Sequence, residues 1–254
     1  MTMTTASGAS DTWTIERVLA WATGDLRAKG SSTPRLDAEL MLALVLDCNR
    51  IKLILDAKRP LNKTELGRYR ELHKRRRLGE PIAYLRGHRE FYGREFLVDP
   101  RVIVPRPETE TLVETGLRRT HHLSLCARVL DLCTGSGCVA ITLKKERPTT
   151  TVYAADISED ALAVARSNAL RLGAMIGLVR ADLFSGLDAL AGRLDLITAN
   201  PPYIDDASWK DVARDIRDFE PQQALVSGED PLSVTRPLVA EAPRMLAPGG
   251  VVAV

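Results

Sequence analysis

Along the first third of the chain apolar residues recur every three or four positions; from Arg128 onward that helical spacing alternates with short, continuous apolar runs. Thr14 is placed to cap a helix whose Ile15, Val18, Leu19, Ala22 and Leu26 share one face, and Gly30 ends it. Thr33 caps a second, with Pro34 in the first helical position and Leu36, Leu40, Ala43, Leu44 and Leu46 forming a broad apolar face. A short helix over residues 51–55 and a fourth over about 64–78, which turns Leu66, Tyr69 and Leu72 inward, complete a small bundle. The bundle holds no cluster of acids, bases or nucleophiles, so it reads as a recognition module.

Residues 89–98 place Phe91, Phe96 and Val98 around Tyr92-Gly93, the pattern of a hairpin joining two domains. Pro100, Pro105 and Pro107 stiffen the passage into Glu108-Thr109-Glu110, and Leu112, Val113 and Leu117 open an amphipathic helix. Beyond it, strands are predicted over 128–132, 151–155, 176–181, 194–199 and 251–254, with helices over 139–145, 161–172 and about 232–246. Strand and helix in alternation describe an α/β fold with a doubly wound parallel sheet.

Composition narrows the function classes. With 254 residues and 45% hydrophobic content, the chain can bury the core of one large domain or two modest ones. No apolar run approaches the roughly 20 residues of a membrane helix, and residues 1–11 lack a basic-then-apolar signal. A disordered leader and a cytoplasmic location are expected. The cysteines (Cys48, Cys126, Cys133, Cys138) and histidines (His73, His88, His121, His122) do not combine at zinc spacings, so reduced thiols and no metal are expected. A net charge of +2 does not advertise direct nucleic-acid binding. The run Lys74-Arg75-Arg76-Arg77 suits the C-terminal end of its helix dipole; a surface for an acidic or RNA-bound partner is the alternative.

The candidate chemistry gathers at strand ends. Asp131-Leu132-Cys133-Thr134-Gly135-Ser136-Gly137 follows the first strand of the sheet, where glycines let a ligand approach backbone amides. Asp156, 19 residues after Gly137, ends the next strand and is placed to bind both hydroxyls of a ribose. NAD and S-adenosylmethionine both carry that ribose, and the glycines do not choose between them. Asp131 does, because its carboxylate would repel a pyrophosphate but suit a cationic amino-acid end. Asp182-Leu183-Phe184 ends the third strand, with a polar edge contact and apolar cover for an adenine. At the fourth strand end stands Asn200-Pro201-Pro202-Tyr203, where two prolines remove backbone donors and leave carbonyl oxygens beside an asparagine amide. Such a rim can grip an NH2 group, although Asn-Pro-Pro alone would also serve as a turn.

These motifs, with Glu80-Pro81-Ile82-Ala83-Tyr84-Leu85-Arg86-Gly87, Phe91-Tyr92-Gly93, Val104-Pro105-Arg106-Pro107-Glu108-Thr109-Glu110 and Phe219-Glu220-Pro221, resemble the HemK-like peptide chain release factor glutamine methyltransferases. The resemblance implies a Rossmann-like class I methyltransferase sheet over 106–254, an N-terminal helical bundle for substrate recognition over 12–88 and a hairpin linker over 89–105. It implies methyl transfer from S-adenosylmethionine to the glutamine amide of a release factor's Gly-Gly-Gln motif, by a monomer. Cys133 to Gly137, Asp156, Leu183 and Asn200 would contact the cofactor, and Asn200 to Tyr203 would hold the glutamine. Methylation of a ribosomal-protein glutamine or of adenine in nucleic acid, and a cofactor-binding fragment impaired in catalysis, are the alternatives. Cys133 stands where many relatives have glycine, and Leu183 replaces an aromatic found in some. Val254 falls inside the expected fifth strand, after which the family pattern continues through a helix and a strand pair.

Overall fold

The computed structural model describes residues 12–121 and 126–254; the leader expected over 1–11, and His122, lie outside the described residues. The chain divides into two units, Met1–Arg86 and Gly87–Val254.

The described part of the first unit is helical: α1 (Ile15–Ala28), α2 (Pro34–Leu46), α3 (Arg50–Leu55), α4 (Lys63–Arg77) and α5 (Ile82–Arg86), the last not predicted. Thr14 caps α1, its hydroxyl accepting from the Arg17 N–H at 3.4 Å. Thr33 precedes α2 but donates its hydroxyl to Asp37 (2.9 Å) and leaves the helix end uncapped. The inward face of α2 is Ala38, Met41, Leu42 and Val45, whereas Leu36 and Leu44, expected inside, are exposed. The helix is apolar nearly all round, so periodicity alone could not choose its face. Two acids are buried on it. Asp37 accepts from Ser31 (2.8 Å), Thr33 and the Arg76 Nε (2.8 Å), and Glu39 accepts from Arg35 (2.5 Å) and Arg50 (2.8 Å). The N-terminus of α4 is closed by Asn62 and Glu65, each side chain accepting from the other's backbone N–H at 2.9 Å.

The second unit opens on the hairpin β1 (His88–Phe91) and β2 (Arg94–Leu97), whose two-residue turn places Tyr92 (φ 50°) and Gly93 (φ 69°) in the left-handed region. It continues through α6 (Thr109–Arg119), β3 (Arg128–Leu132), α7 (Cys138–Glu146), β4 (Thr151–Asp156), α8 (Glu159–Leu172), β5 (Gly177–Arg180), β6 (Leu194–Ala199), β7 (Ile204–Asp205), α9 (Arg214–Arg217), β8 (Val226–Gly228), α10 (Thr235–Met245) and β9 (Leu246–Ala253). The five-stranded sheet is parallel throughout, in the order β5-β4-β3-β6-β9. Strand β3 alternates between two cores: Val129 faces one with Val139, Ile141 and Leu196, and Leu130 and Leu132 face another with Ile197, Leu238 and Met245. This is the doubly wound sheet predicted, and its order reverses about β3, which opens a crevice at the carboxyl ends of β3, β4 and β6.

Strand β9 begins five residues before the predicted 251–254 and absorbs Pro248-Gly249-Gly250 in a register shift opposite Leu194 and Leu196. A Cβ at Gly250 would lie 2.7 Å from the Leu194 carbonyl oxygen, so glycine alone permits that approach. The parallel pair β7–β8 was also not predicted. Among the described residues no helix is long and apolar enough to cross a membrane.

Candidate active site

Strand β3 delivers the chain into the loop Cys133-Thr134-Gly135-Ser136-Gly137, which α7 then leaves. The loop is fixed at several points. Thr134 N–H donates to the Ala155 carbonyl of β4 (3.1 Å), and Gly137 N–H donates to the Thr134 carbonyl (2.8 Å). Gly137 has φ 79°, and a Cβ there would sit 3.1 Å from both the Ala165 Cβ and the Ile141 Cδ1; it lets α7 and α8 close behind the loop. Gly135 has φ 53°, with open space where a side chain would stand. Cys133 shares that backbone conformation at φ 53°, and Leu183 has φ 48°, so both of these non-glycine residues occupy the left-handed region, at about 1–2 kcal/mol each.

Asp131 lies beneath the loop, buried, where its two oxygens accept from the hydroxyls of Thr134 (2.6 Å) and Thr198 (2.7 Å). Burial pushes its carboxyl up to about 6, against the downward pull of those two hydroxyls. Asp156 accepts from Gly135 N–H (2.9 Å) and Ser158 N–H (3.0 Å), and burial raises it above the ordinary range despite those donors. Each of its oxygens keeps a further lone pair. Around the same loop burial raises the Cys133 and Cys138 thiols to about 12, which keeps both as unreactive thiols.

A cavity of about 230 Å³ lies over the strand ends and is lined by Cys133, Gly135, Asp156, Asp182, Leu183, Asn200 and Pro202, seven of the residues singled out in the sequence. Asp131, Thr134 and Ser136 border a smaller cavity of about 30 Å³ under the loop, which Cys133, Gly135 and Asn200 also reach. Tyr203 is 62% exposed and faces a wide cleft of about 790 Å³, again with Asn200. Pro201 is buried at the strand end, and Gly137 supports the loop from behind. Asn200 therefore borders all three spaces.

Other residues carry the site without having drawn attention as such. Glu220, buried, accepts two hydrogen bonds from Arg106 (2.7 and 2.8 Å) and one from Val104 N–H (3.2 Å), which clamps Val104-Pro105-Arg106 to Phe219-Glu220-Pro221. Burial raises the Glu220 carboxyl, with the Arg106 charge opposing. Glu110 accepts from Tyr92 N–H (2.8 Å) and so ties the hairpin turn to the same segment. Asn168 of α8, wholly buried, exchanges two hydrogen bonds with the Leu97 backbone (2.7 and 3.0 Å) and donates a third to the Ser136 carbonyl (2.9 Å). The motifs were visible in the sequence; their pairing, across 114 residues for Arg106 and Glu220, was not. Ile103 and Val102 add to the main cavity wall, as do Pro221, Ala224 and Val234.

Two family models match the chain, "PrmC N-terminal domain" over residues 17–87 and "Methyltransferase small domain" over residues 109–220. The chain is 42% identical over 238 residues to the release factor glutamine methyltransferase of Geobacter sulfurreducens, covering 94% of this chain and 82% of that one. It is 41% identical over 237 residues to the protein of the same name from Koribacter versatilis, covering 93% and 84%. Among solved structures, a ribosomal protein L11 methylase from Lactobacillus delbrueckii subsp. bulgaricus aligns over 58% of this chain and 59% of that one, with 24% identity and a TM-score of 0.39.

Proposed function

The chain belongs to the family of release factor glutamine methyltransferases, and from that premise we propose that it methylates the side-chain amide nitrogen of the glutamine in the Gly-Gly-Gln motif of peptide chain release factors, using S-adenosylmethionine. The observation that carries this reading is the position of Asn200, at the junction of the cavity lined by Asp156, Asp182 and Leu183 with the open cleft beside Tyr203.

The residues present fit the cofactor. Asp156 has lone pairs left for two ribose hydroxyls, Asp182 offers an acceptor for an exocyclic amine, and Leu183, Ile103 and Ala181 give an apolar wall. Gly135 leaves the loop backbone uncovered toward the cavity. Bound there, S-adenosylmethionine would supply a methyl group on a cationic sulfur, with S-adenosylhomocysteine as the leaving group.

The chain's own part is orientation. The Asn200 side-chain oxygen and the Pro201 carbonyl accept the two amide hydrogens, which draws the nitrogen lone pair out of conjugation and points it into the cavity. Pro201 and Pro202 have no N–H to compete for those acceptors. Tyr203 packs beside the amide and reduces the water around it. No strong base is required, because the proton can leave after the nitrogen has gained its methyl group. The N-terminal bundle, residues 12–88, is assigned the docking of the release factor; residues 89–105 are assigned as linker and residues 106–254 as the methyltransferase domain. A translation-factor substrate puts the reaction in the cytoplasm, and the enzyme is assigned as a monomer.

The test is transfer from methyl-labelled cofactor to purified release factor, beside DNA, ribosomal protein and a release factor whose motif glutamine is replaced by alanine. Label should enter only the intact release factor. Label in DNA or ribosomal protein, or label indifferent to the glutamine replacement, would overturn the assignment.

A further inference from the structure

The cofactor cavity is bounded at one end by Asp182, Leu183 and Val234, and these same three residues border an open groove of about 610 Å³ on the outer side of the unit. The shared rim is a firm one. Ser185 N–H donates to the Asp182 carbonyl (2.9 Å), Leu187 N–H donates to the Phe184 carbonyl (3.0 Å), and Phe184 and Leu187 are buried beneath them. The groove runs on to α10, where Pro237, Glu241 and Arg244 form its far wall. Its charge is lopsided: Asp182, Asp188 and Glu241 stand against Arg244, whose guanidinium already donates to Asp188 (2.9 Å) and Glu241 (2.5 Å).

We propose that this groove extends the cofactor pocket past the exocyclic amine of the adenine and accepts adenosyl compounds that carry a substituent on that nitrogen, cationic ones in preference to anionic ones. The inference rests on the reading above, that an adenine lies against Asp182 and Leu183. An exocyclic amine has two hydrogens. Asp182 needs one, and the other position can carry an alkyl chain that leaves over the Leu183 and Val234 rim into the groove. A positive group on such a chain enters the field of three carboxylates against one guanidinium, and a negative group opposes it.

Calorimetric binding of S-adenosylhomocysteine is compared with that of its N6-(3-aminopropyl) and N6-(2-carboxyethyl) derivatives. The amine is expected to bind within about threefold of the parent and the acid about fivefold more weakly than the amine, as suits partly exposed charges, with the gap closing in high salt. Asp188→Asn combined with Glu241→Gln leaves Asp182 alone against Arg244 and should abolish the preference for the amine. Pro237→Trp, on the exposed far wall and off the cofactor cavity, should weaken both derivatives and leave the parent unchanged. If the parent binds while both derivatives fall more than about thirtyfold below it, more than about 2 kcal/mol, the proposal is overturned. Equal affinity for amine and acid in every variant overturns its charge component, and failure of the parent itself to bind overturns the cofactor reading on which it stands.

Discussion

In the first unit Asp37 and Glu39 are buried against guanidinium groups, Asp37 against Arg76 and Glu39 against Arg35 and Arg50; in the second, Asp131 and Asp156 are held by hydroxyls and backbone N–H groups, which are neutral partners. The Glu39 carboxyl then behaves in the opposite way to those of Asp131 and Asp156. At Glu39 burial is the largest effect and pushes the carboxyl up, but the hydrogen bonds and charges of both arginines outweigh it and hold it below the ordinary range. At Asp131 and Asp156 burial wins and both are raised. The bundle sets cations against its buried acids, whereas Asp131 and Asp156 at the crevice are held by neutral donors, an arrangement suited to a positively charged ligand.

The largest test of this contrast is Asn200→Ala. Loss of an acceptor that matters where the amide must be oriented should lower transfer by about a thousandfold, ~4 kcal/mol, while cofactor affinity changes little. Equal losses in turnover and in cofactor binding would remove Asn200 from the substrate side. In the bundle, Asp37→Ala strands the Arg76 charge, whose side chain is only 10% exposed, and should cost about 3–4 kcal/mol in denaturant unfolding with cofactor binding retained. A cost below 1 kcal/mol would mean that the pair is no more than a surface contact.

Acidity separates the two units next. Since the Asp131 carboxyl is raised from 3.8 to about 6, its contribution is fully present below pH ~4 and is lost as pH rises through about 6, a change of roughly 3 kcal/mol. Glu39 has the opposite sign, since a lowered carboxyl stabilises above its ordinary value and that contribution is lost as pH falls. Urea unfolding of the wild type and Asp131→Asn between pH 4 and 7 should show the stability difference drifting in favour of the variant as pH rises; parallel curves would mean that Asp131 is solvated. Asp156→Ala is expected to weaken cofactor binding about 10- to 100-fold, ~1.5–3 kcal/mol, and unchanged affinity by calorimetry would place the ribose elsewhere. Smallest is Cys133→Gly, which relieves a left-handed backbone (φ 53°) but loosens the unfolded chain, for a net gain of about 0.5–1 kcal/mol.

The order of the five sheet strands and of α6, α7, α8 and α10 was legible because each announces itself over a few neighbouring residues, whereas β7, α9 and β8 are too short to do so; the glycine loop and Asn200 follow from where the sheet strands end. Position along a strand also identified Asp156 and Leu183 as neighbours of one cavity. What the sequence hid is pairing at a distance. Nothing local to Asn168 says that its amide will serve both Leu97 and Ser136, and nothing near Thr198 names Asp131 as its partner. Leu36 and Leu44 misled because α2 offers more apolar surface than the bundle can cover. Strand β9 was foreshortened because Pro248-Gly249-Gly250 reads as a turn, and only the close approach to the Leu194 carbonyl explains glycine within a strand.

The short pair β7–β8 fastens the chain just beyond Tyr203: Ile204 N–H donates to the Leu225 carbonyl and Asp206 N–H to the Gly228 carbonyl, both at 3.0 Å. The stretch between those fastenings is thus a loop pinned at its neck. Lengthening such a loop is cheap, only about 0.6 kcal/mol for each doubling, because the entropy of closing it grows only with the logarithm of its length. Residues 207–218 are thus expected to tolerate exchange or a change of length without disturbing the four residues upstream of the neck.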